Sequence, residues 1–190
     1  VKITCIYEGT SEILELTTFR ERWQANINAE GRYYDKIADE MDALAAKSPD
    51  VGAATTATAL RALSQVLKAC YDGKLTQNQF AHMKLGELMG LAETAAALCR
   101  AASKDAVGEA VIFDLETWRA MSRVNARHTA SWVASEGMAL VGGTSDLDSS
   151  VLVDALNLKA VARAQKGGIA DMDLVAKKLA EMVRLNAVHV

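Results

Sequence analysis

Apolar residues recur at three- and four-residue steps along most of this 190-residue chain, the spacing that places them on one face of an α-helix. The first such stretch, Ser11 to Asn28, sets Ile13, Leu16, Phe19, Trp23 and Ile27 in line, with Arg20, Glu21 and Arg22 mostly off that face. A second helix is predicted over Arg32 to Lys47, with Tyr33, Ile37, Met41 and Leu44 inward. Ser48-Pro49-Asp50 ends it, because proline lacks a donor and restricts the residue before it. A third helix, Val51 to Tyr71, presents Leu60, Leu63, Leu67 and Cys70, and Asp72-Gly73 turns the chain. Thr76 is the expected cap of a fourth, Gln77 to Ser103, with Leu85, Leu88, Ala92, Ala95 and Cys99 inward.

A fifth helix over Asp114 to Leu140 is expected to pack Met121, Val124, His128, Trp132 and Ala139, and Gly142-Gly143 stops it. The sixth fits Asp148 to Lys166, ending at Gly167-Gly168. The seventh fits Asp171 to Ala187, with Met172, Ala176, Leu179 and Val183 as its stripe and Lys177, Lys178, Glu181 and Arg184 elsewhere. No stretch alternates as a strand would. The expected fold is all-α, an antiparallel helical bundle of about seven helices, rich in alanine so that helices approach closely.

Composition narrows the function classes. A single proline supports the helical reading. A net charge of −3 leaves no basic footprint for nucleic acid. Cys5, Cys70 and Cys99 are scattered, with neither paired nor metal-ligand spacing, as expected in a reducing compartment. The location expected is cytoplasmic, or the mitochondrial matrix in a eukaryote. His82 and His128 lie on different helices without a second ligand at metal spacing, so no metal site is expected. Gly142-Gly143-Thr144-Ser145-Asp146 lacks the preceding strand and the lysine of a phosphate loop and reads as a helix connection. Glu12 and Glu15 with Arg20 and Arg22 read as a solvated helix surface.

The densest chemistry lies at the start. Tyr7-Glu8-Gly9-Thr10-Ser11-Glu12-Ile13 joins a carboxylate and a permissive glycine to a hydroxyl pair opening a helix, where free amides favour an anion. With its flanks, Ile3 to Leu14, this run closely resembles the signature near the end of the acyl-CoA dehydrogenases. Leu14 departs from the pattern, since many members carry glutamine there.

The resemblance implies that Glu8 is the catalytic base, that Gly9 lies against the acyl thioester, and that Thr10, Ser11 and Glu12 contact FAD. The reaction implied is oxidation of an acyl-CoA to the trans-2-enoyl-CoA by α-proton abstraction and β-hydride transfer to flavin. Electron-transfer flavoprotein as acceptor and a homodimer are implied with it. A carboxylate buried beside an acyl chain suits this role, because burial raises its pKa.

Residues 1–30 are then the base loop and last helix of a dehydrogenase core, and 31–190 an accessory helical bundle, with the boundary at Glu30-Gly31. Lys74 to Phe80 is loosely similar to part of the extension of the very-long-chain type. Seven residues ahead of Glu8 cannot build a flavin pocket, so the expectation is a C-terminal piece, inactive alone. The rival expectation is a helical module for dimerisation or membrane contact.

Overall fold

The computed structural model describes residues 11–104, 113–143 and 150–187, and among these no strand occurs. The all-α bundle consists of α1 (Ser11–Asn28), α2 (Tyr33–Lys47), α3 (Ala53–Asp72), α4 (Gln79–Ala102), α5 (Leu115–Gly142), the short α6 (Ser150–Ala155) and α7 (Leu158–Ala164), and α8 (Gly168–Ala187). Two single 3₁₀ turns, Pro49–Val51 and Leu75–Gln77, lie between α2 and α3 and between α3 and α4.

Local chemistry sets these limits. Pro49 opens the first 3₁₀ turn, and Gly52 leaves it at φ 80°. Asn78, not Thr76, caps α4: its side chain accepts from the amides of Phe80 and Ala81. Thr76 is taken up in the 3₁₀ turn, so the expected cap falls two residues early. Asp114 caps α5 by accepting from Thr117 N at 2.8 Å. The single sixth helix expected over Asp148 to Lys166 is two helices among the described residues. Asn157 takes φ 48° and accepts from Ala160 N, so it breaks one helix and caps the next. Asparagine tolerates the left-handed region because its side chain replaces the lost local hydrogen bonds.

α5 is the central element, packed against α3, α4, α7 and α8. Its buried residues are small: Thr117, Ala120, Ser122, Ala126, Thr129, Ala130, Val133, Ala134, Gly137 and Val141. The face expected inside is rotated outward, with Met121, Val124 and Trp132 only half-buried and His128 and Ala139 exposed. A helix packed on several sides needs short side chains there, and a Cβ at Gly137 would meet Val66 Cγ2 at 2.4 Å.

The stripes predicted for α3 and α4 are buried, Leu60, Leu63, Leu67, Leu85, Leu88 and Cys99 all at 0–1% exposure. α2 buries Met41 together with Tyr34 and Ala38. In α1, Phe19 is buried but Ile13 and Ile27 are more than half exposed. The buried edge of α1 turns instead toward Glu15, Arg22 and Asn26, because α1 lies on α4 at very short range. A Cβ on Gly86 would sit 2.1 Å from the Glu15 carbonyl oxygen.

A clamp holds α1 and α2 to α4: Arg22 Nε and Tyr34 Oη both donate to the Glu93 carboxylate, at 2.9 and 3.2 Å. Phe19 stacks on His82 at 4.2 Å and on Trp23 at 5.5 Å. His82 also sets a ring nitrogen 2.6 Å from the Thr76 carbonyl, which gives this histidine a structural place.

α8 runs antiparallel to α5, since Asp171 bonds Arg123 and Arg127 in mid-helix while Lys178 pairs with Asp114 at the α5 start. Asp171 receives two bonds from Arg123, at 2.6 and 3.0 Å, and one from Arg127 at 2.5 Å. Arg127 also caps the carbonyls of Ala164 and Lys166, which fixes the turn at Gly167. The Asp171 and Arg127 side chains are each 13% exposed, so this pairing is largely desolvated. The stripe expected inside on α8 faces solvent: Met172, Leu179 and Val183 are 51%, 47% and 69% exposed. Asp171, Leu174, Val175, Lys178 and Met182 are the partly covered positions. The ion pairs of Asp171 and Lys178 thus lie on a covered face that also carries Leu174, Val175 and Met182.

Two outcomes test these contacts. Gly86→Ala should lower stability by about 1–3 kcal/mol, since its methyl group collides with α1 backbone. Gly90→Ala, on the same helix with nothing within 4 Å of the new Cβ, should gain roughly 0.5–1 kcal/mol from helix propensity. Chemical denaturation of both variants decides; a stabilised Gly86→Ala refutes the close approach.

Asp171→Asn should cost about 3 kcal/mol at pH 7, because it strands two arginines. Hydrogen bonds from Arg123, and then from Arg127, hold the Asp171 carboxyl below its ordinary value. Its stabilisation is therefore full above the ordinary carboxylate range and lost as pH falls through the lower folded value. The wild-type advantage over Asp171→Asn should shrink below about pH 4. An advantage that stays constant down to pH 2 contradicts the assignment.

Candidate functional site

Glu8, Gly9 and Thr10 lie outside the described residues. Ser11 is the first residue of α1 and Glu12 the second, and both are exposed. The first turn of a helix carries backbone N–H groups without intrahelical partners. The Ser11 hydroxyl and the Glu12 carboxylate stand on the first two residues of that helix. The structure thus places two of the five motif residues side by side at one helix end.

Behind that end lies an acidic patch. Glu15 is partly buried on the α1 edge against α4. Burial first, then repulsion from Glu87 and Glu12, raises its pKa above the ordinary value, with Lys84 acting in the opposite sense. Glu87 is held by Trp132 Nε1 at 3.0 Å and by Lys84 Nζ at 3.1 Å, and Lys84 also reaches Glu136 at 3.4 Å. Glu15 and Arg22 are accordingly not the solvated surface expected for them: one meets α4 acids, the other the Glu93 carboxylate.

A concavity lies at the opposite end of α1. A groove of about 500 Å³ opens between the last turns of α1, the start of α2 and the last turns of α3. Trp23 and Tyr71 form its aromatic wall, with ring centroids 6.1 Å apart. Ile27 and Leu67 add apolar surface, and Lys68 pairs with Asp72 at the rim at 2.5 Å. Asn26, on the groove floor, accepts from Tyr33 N at 3.3 Å. This volume suits a small apolar body. It stands roughly 16 Å along the helix from Glu12, at 1.5 Å per residue, so the groove and the motif are separate places.

The sequence pattern reads Glu15 as solvated surface and Trp23, Ile27 and Leu67 as inward stripe, and it singles out neither Glu87 nor the groove. The one local signal was Tyr71 beside Asp72-Gly73, an aromatic residue at a turn. The rest depends on which helices meet. His128 stacks on Trp132 at 5.7 Å, and Gly143 closes α5 with its amide on Ala139 O. Thr144, Ser145 and Asp146, the remainder of that glycine-led connection, lie outside the described residues. Among the described residues no group of three or more His, Cys, Asp or Glu is placed to hold a metal ion, and no helix is long and apolar enough to cross a membrane. Cys70 and Cys99 are buried free thiols, and burial pushes Cys70 up to about 12. No protein-family model, no curated protein and no solved structure matches this chain.

The raised Glu15 pKa sets a stability prediction. The folded protein holds this proton more tightly than the unfolded chain, so Glu15 favours folding at low pH. That contribution is lost as pH rises through the raised value. Ionised Glu15 therefore opposes folding at pH 7. Glu15→Gln should raise Tm at pH 7, with the gain vanishing below about pH 4. An equal or lower Tm at neutral pH would place Glu15 in a solvated setting after all.

Proposed function

We propose that this chain serves as the C-terminal part of an FAD-dependent acyl-CoA dehydrogenase. The observation that carries this reading is the run Tyr7-Glu8-Gly9-Thr10-Ser11-Glu12 standing directly ahead of and into the first turn of α1. The helix start at Ser11 supports it, because it gives the motif's hydroxyl and carboxylate the helix-end setting that nucleotide contacts use.

In this reading Gly9 lies against the acyl thioester and leaves room for close approach. Glu8 accepts the α-proton of the acyl-CoA as the Cα–H bond breaks. FAD, when bound, supplies the acceptor for the β-hydrogen and its electron pair, and electron-transfer flavoprotein takes the electrons onward. Loss of one proton and one hydride leaves the trans-2-enoyl-CoA. Thr10, Ser11 and Glu12 hold the nucleotide. Residues 31–190 are the accessory bundle.

A second reading, a helical association module, is favoured by one observation, the exposed apolar stripe of α8.

Glu8→Gln tests the first reading in a dehydrogenase that carries this chain with its flavin-binding body. The change keeps size and hydrogen bonding but removes the base, so turnover should fall on the order of a hundred- to ten-thousand-fold. FAD content and thioester binding should be retained. Turnover within a few-fold of wild type assigns the base elsewhere.

A further inference from the structure

The aromatic groove at the far end of α1 carries more chemistry than an apolar occupant needs. On its floor, Asn26 and Ser64 are each only 8% exposed. Asn26 Oδ1 accepts from Tyr33 N, but its Nδ2 donor and the Ser64 hydroxyl have no hydrogen-bond partner among the described residues. Neither atom is sealed inside the protein, and both residues line the groove. Two nearly buried polar groups are thus left with unused hydrogen-bonding capacity toward its interior. Such groups ordinarily find partners. The hydroxyl of a ligand can serve both, accepting from Asn26 and exchanging a hydrogen bond with Ser64.

The mouth of the groove is acidic. Glu30, Asp35, Asp72 and Lys68 are the charged residues that line it. Lys68 is engaged by Asp72, which leaves the Glu30 and Asp35 carboxylates without a cation among the described residues. Arg32 and Lys36 are close to them in the chain but stand outside the lining. Asp35 also suits the first turn of α2, where a carboxylate meets free amides. Glu30 has no such local reason. It follows the end of α1, where the helix dipole disfavours an acid, and it holds φ 56°, a conformation that glycine adopts more easily. The C-terminal ends of α1 and α3 both border the groove and add partial negative charge, against the one N-terminal end of α2.

Between floor and mouth stand Trp23 and Tyr71, the latter 63% exposed. Aromatic faces stack a flat apolar body and attract a cation. Asn26 and Glu30 are four residues apart, about one helical turn, so one small molecule can reach both. A lysine or arginine side chain of another protein would bring a cation but no acceptor for Asn26.

We propose that the groove between α1, α2 and α3 binds a small organic cation, a hydroxyaryl-alkylammonium. Its hydroxyl lies on Asn26 and Ser64, its ring against Trp23 and Tyr71, and its ammonium at Glu30 and Asp35. The assignment rests on the groove alone and holds whether or not the acyl-CoA dehydrogenase reading does.

Titrating the ¹⁵N-labelled 190-residue chain with tyramine tests it, read at the indole N–H resonances of Trp23, Trp118 and Trp132. Trp23 should shift with a dissociation constant on the order of 100 µM, as expected of so small a ligand, while Trp118 and Trp132 stay in place. Phenethylamine, which lacks the hydroxyl, should bind about 3- to 5-fold more weakly. Ser64→Ala should remove most of that difference by weakening tyramine alone. 4-Hydroxyphenylacetate keeps the ring and hydroxyl but reverses the charge, and should bind at least ~10-fold more weakly than tyramine. Glu30→Gly should weaken tyramine about 5-fold with Tm at or above the wild-type value, since glycine relieves the backbone there. No Trp23 shift at about 5 mM tyramine, or equal shifts of all three indoles, overturns the proposal. So does an anion that binds as well as the cation. Wild-type affinity in both Glu30→Gly and Asp35→Asn overturns the acidic mouth as the cation site, and an undiminished tyramine preference in Ser64→Ala overturns the placement of the hydroxyl.

Discussion

The backbone carbonyl of Val51 is buried among three helices, and the bundle is arranged around satisfying it. Val51 is fully buried, and an unpaired carbonyl in such a place costs several times what an ordinary hydrogen bond contributes. Ser122 Oγ donates to it at 2.7 Å from α5, and Cys99 Sγ donates at 3.3 Å from α4. Thr56 Oγ1 on α3 sits 3.3 Å from the same sulfur. Outside this core, Arg119 Nη1 reaches the Asp50 carboxylate at 2.6 Å and Arg123 Nη1 the Asp50 carbonyl at 2.8 Å. One three-residue turn therefore fixes the distances between α3, α4 and α5 at once.

The turn can enter so deeply because the helices around it carry little side-chain bulk. A Cβ at Gly52 would meet Ala126 Cβ and Arg123 Cα at 3.1 Å, and the residue holds φ 80°. Small residues on α5 then serve two ends: they admit the turn, and they let α3 approach at Gly137. Close packing gains dispersion contacts that longer side chains would forfeit by holding the helices apart. Alanine's wide use in this chain follows from that geometry as much as from helix propensity.

The same inward demand explains the outer surfaces. Arg123 links the turn to α8, bonding Asp50 O, Glu116 and Asp171 together. With Asp171 captured, α8 covers the face that also carries Leu174, Val175 and Met182, and Met172, Leu179 and Val183 face away from the bundle. On the other side, α1 is drawn against α4 at Gly86 and clamped through Arg22 and Glu93. That rotation leaves Ile13 and Ile27 outward, brings Glu15 among the acids of α4, and opens the aromatic groove beside Tyr71. Exposed apolar surface on α1 and α8 thus accompanies ionic anchoring.

Helix boundaries were legible in the sequence, because caps, glycines and the single proline act over three or four residues. Ser11 to Asn28 and the stops at Lys47, Asp72-Gly73 and Gly142-Gly143 needed nothing beyond local chemistry. So did the inward faces of α3 and α4, each of which has a single well-formed stripe of leucines. The motif around Glu8 was likewise visible at once, since its residues are adjacent. What only the tertiary structure decided is which of two competing faces a helix buries, as in α1, α5 and α8. Periodicity ranks faces by hydrophobicity, but a crowded helix must bury its small face, and an ion-paired helix the face that carries its charged partners. The position of Glu15 against Glu87 and the pairing of Asp171 with two arginines arise between helices far apart in the chain. No local pattern encodes them, because their energies exist only when those helices meet.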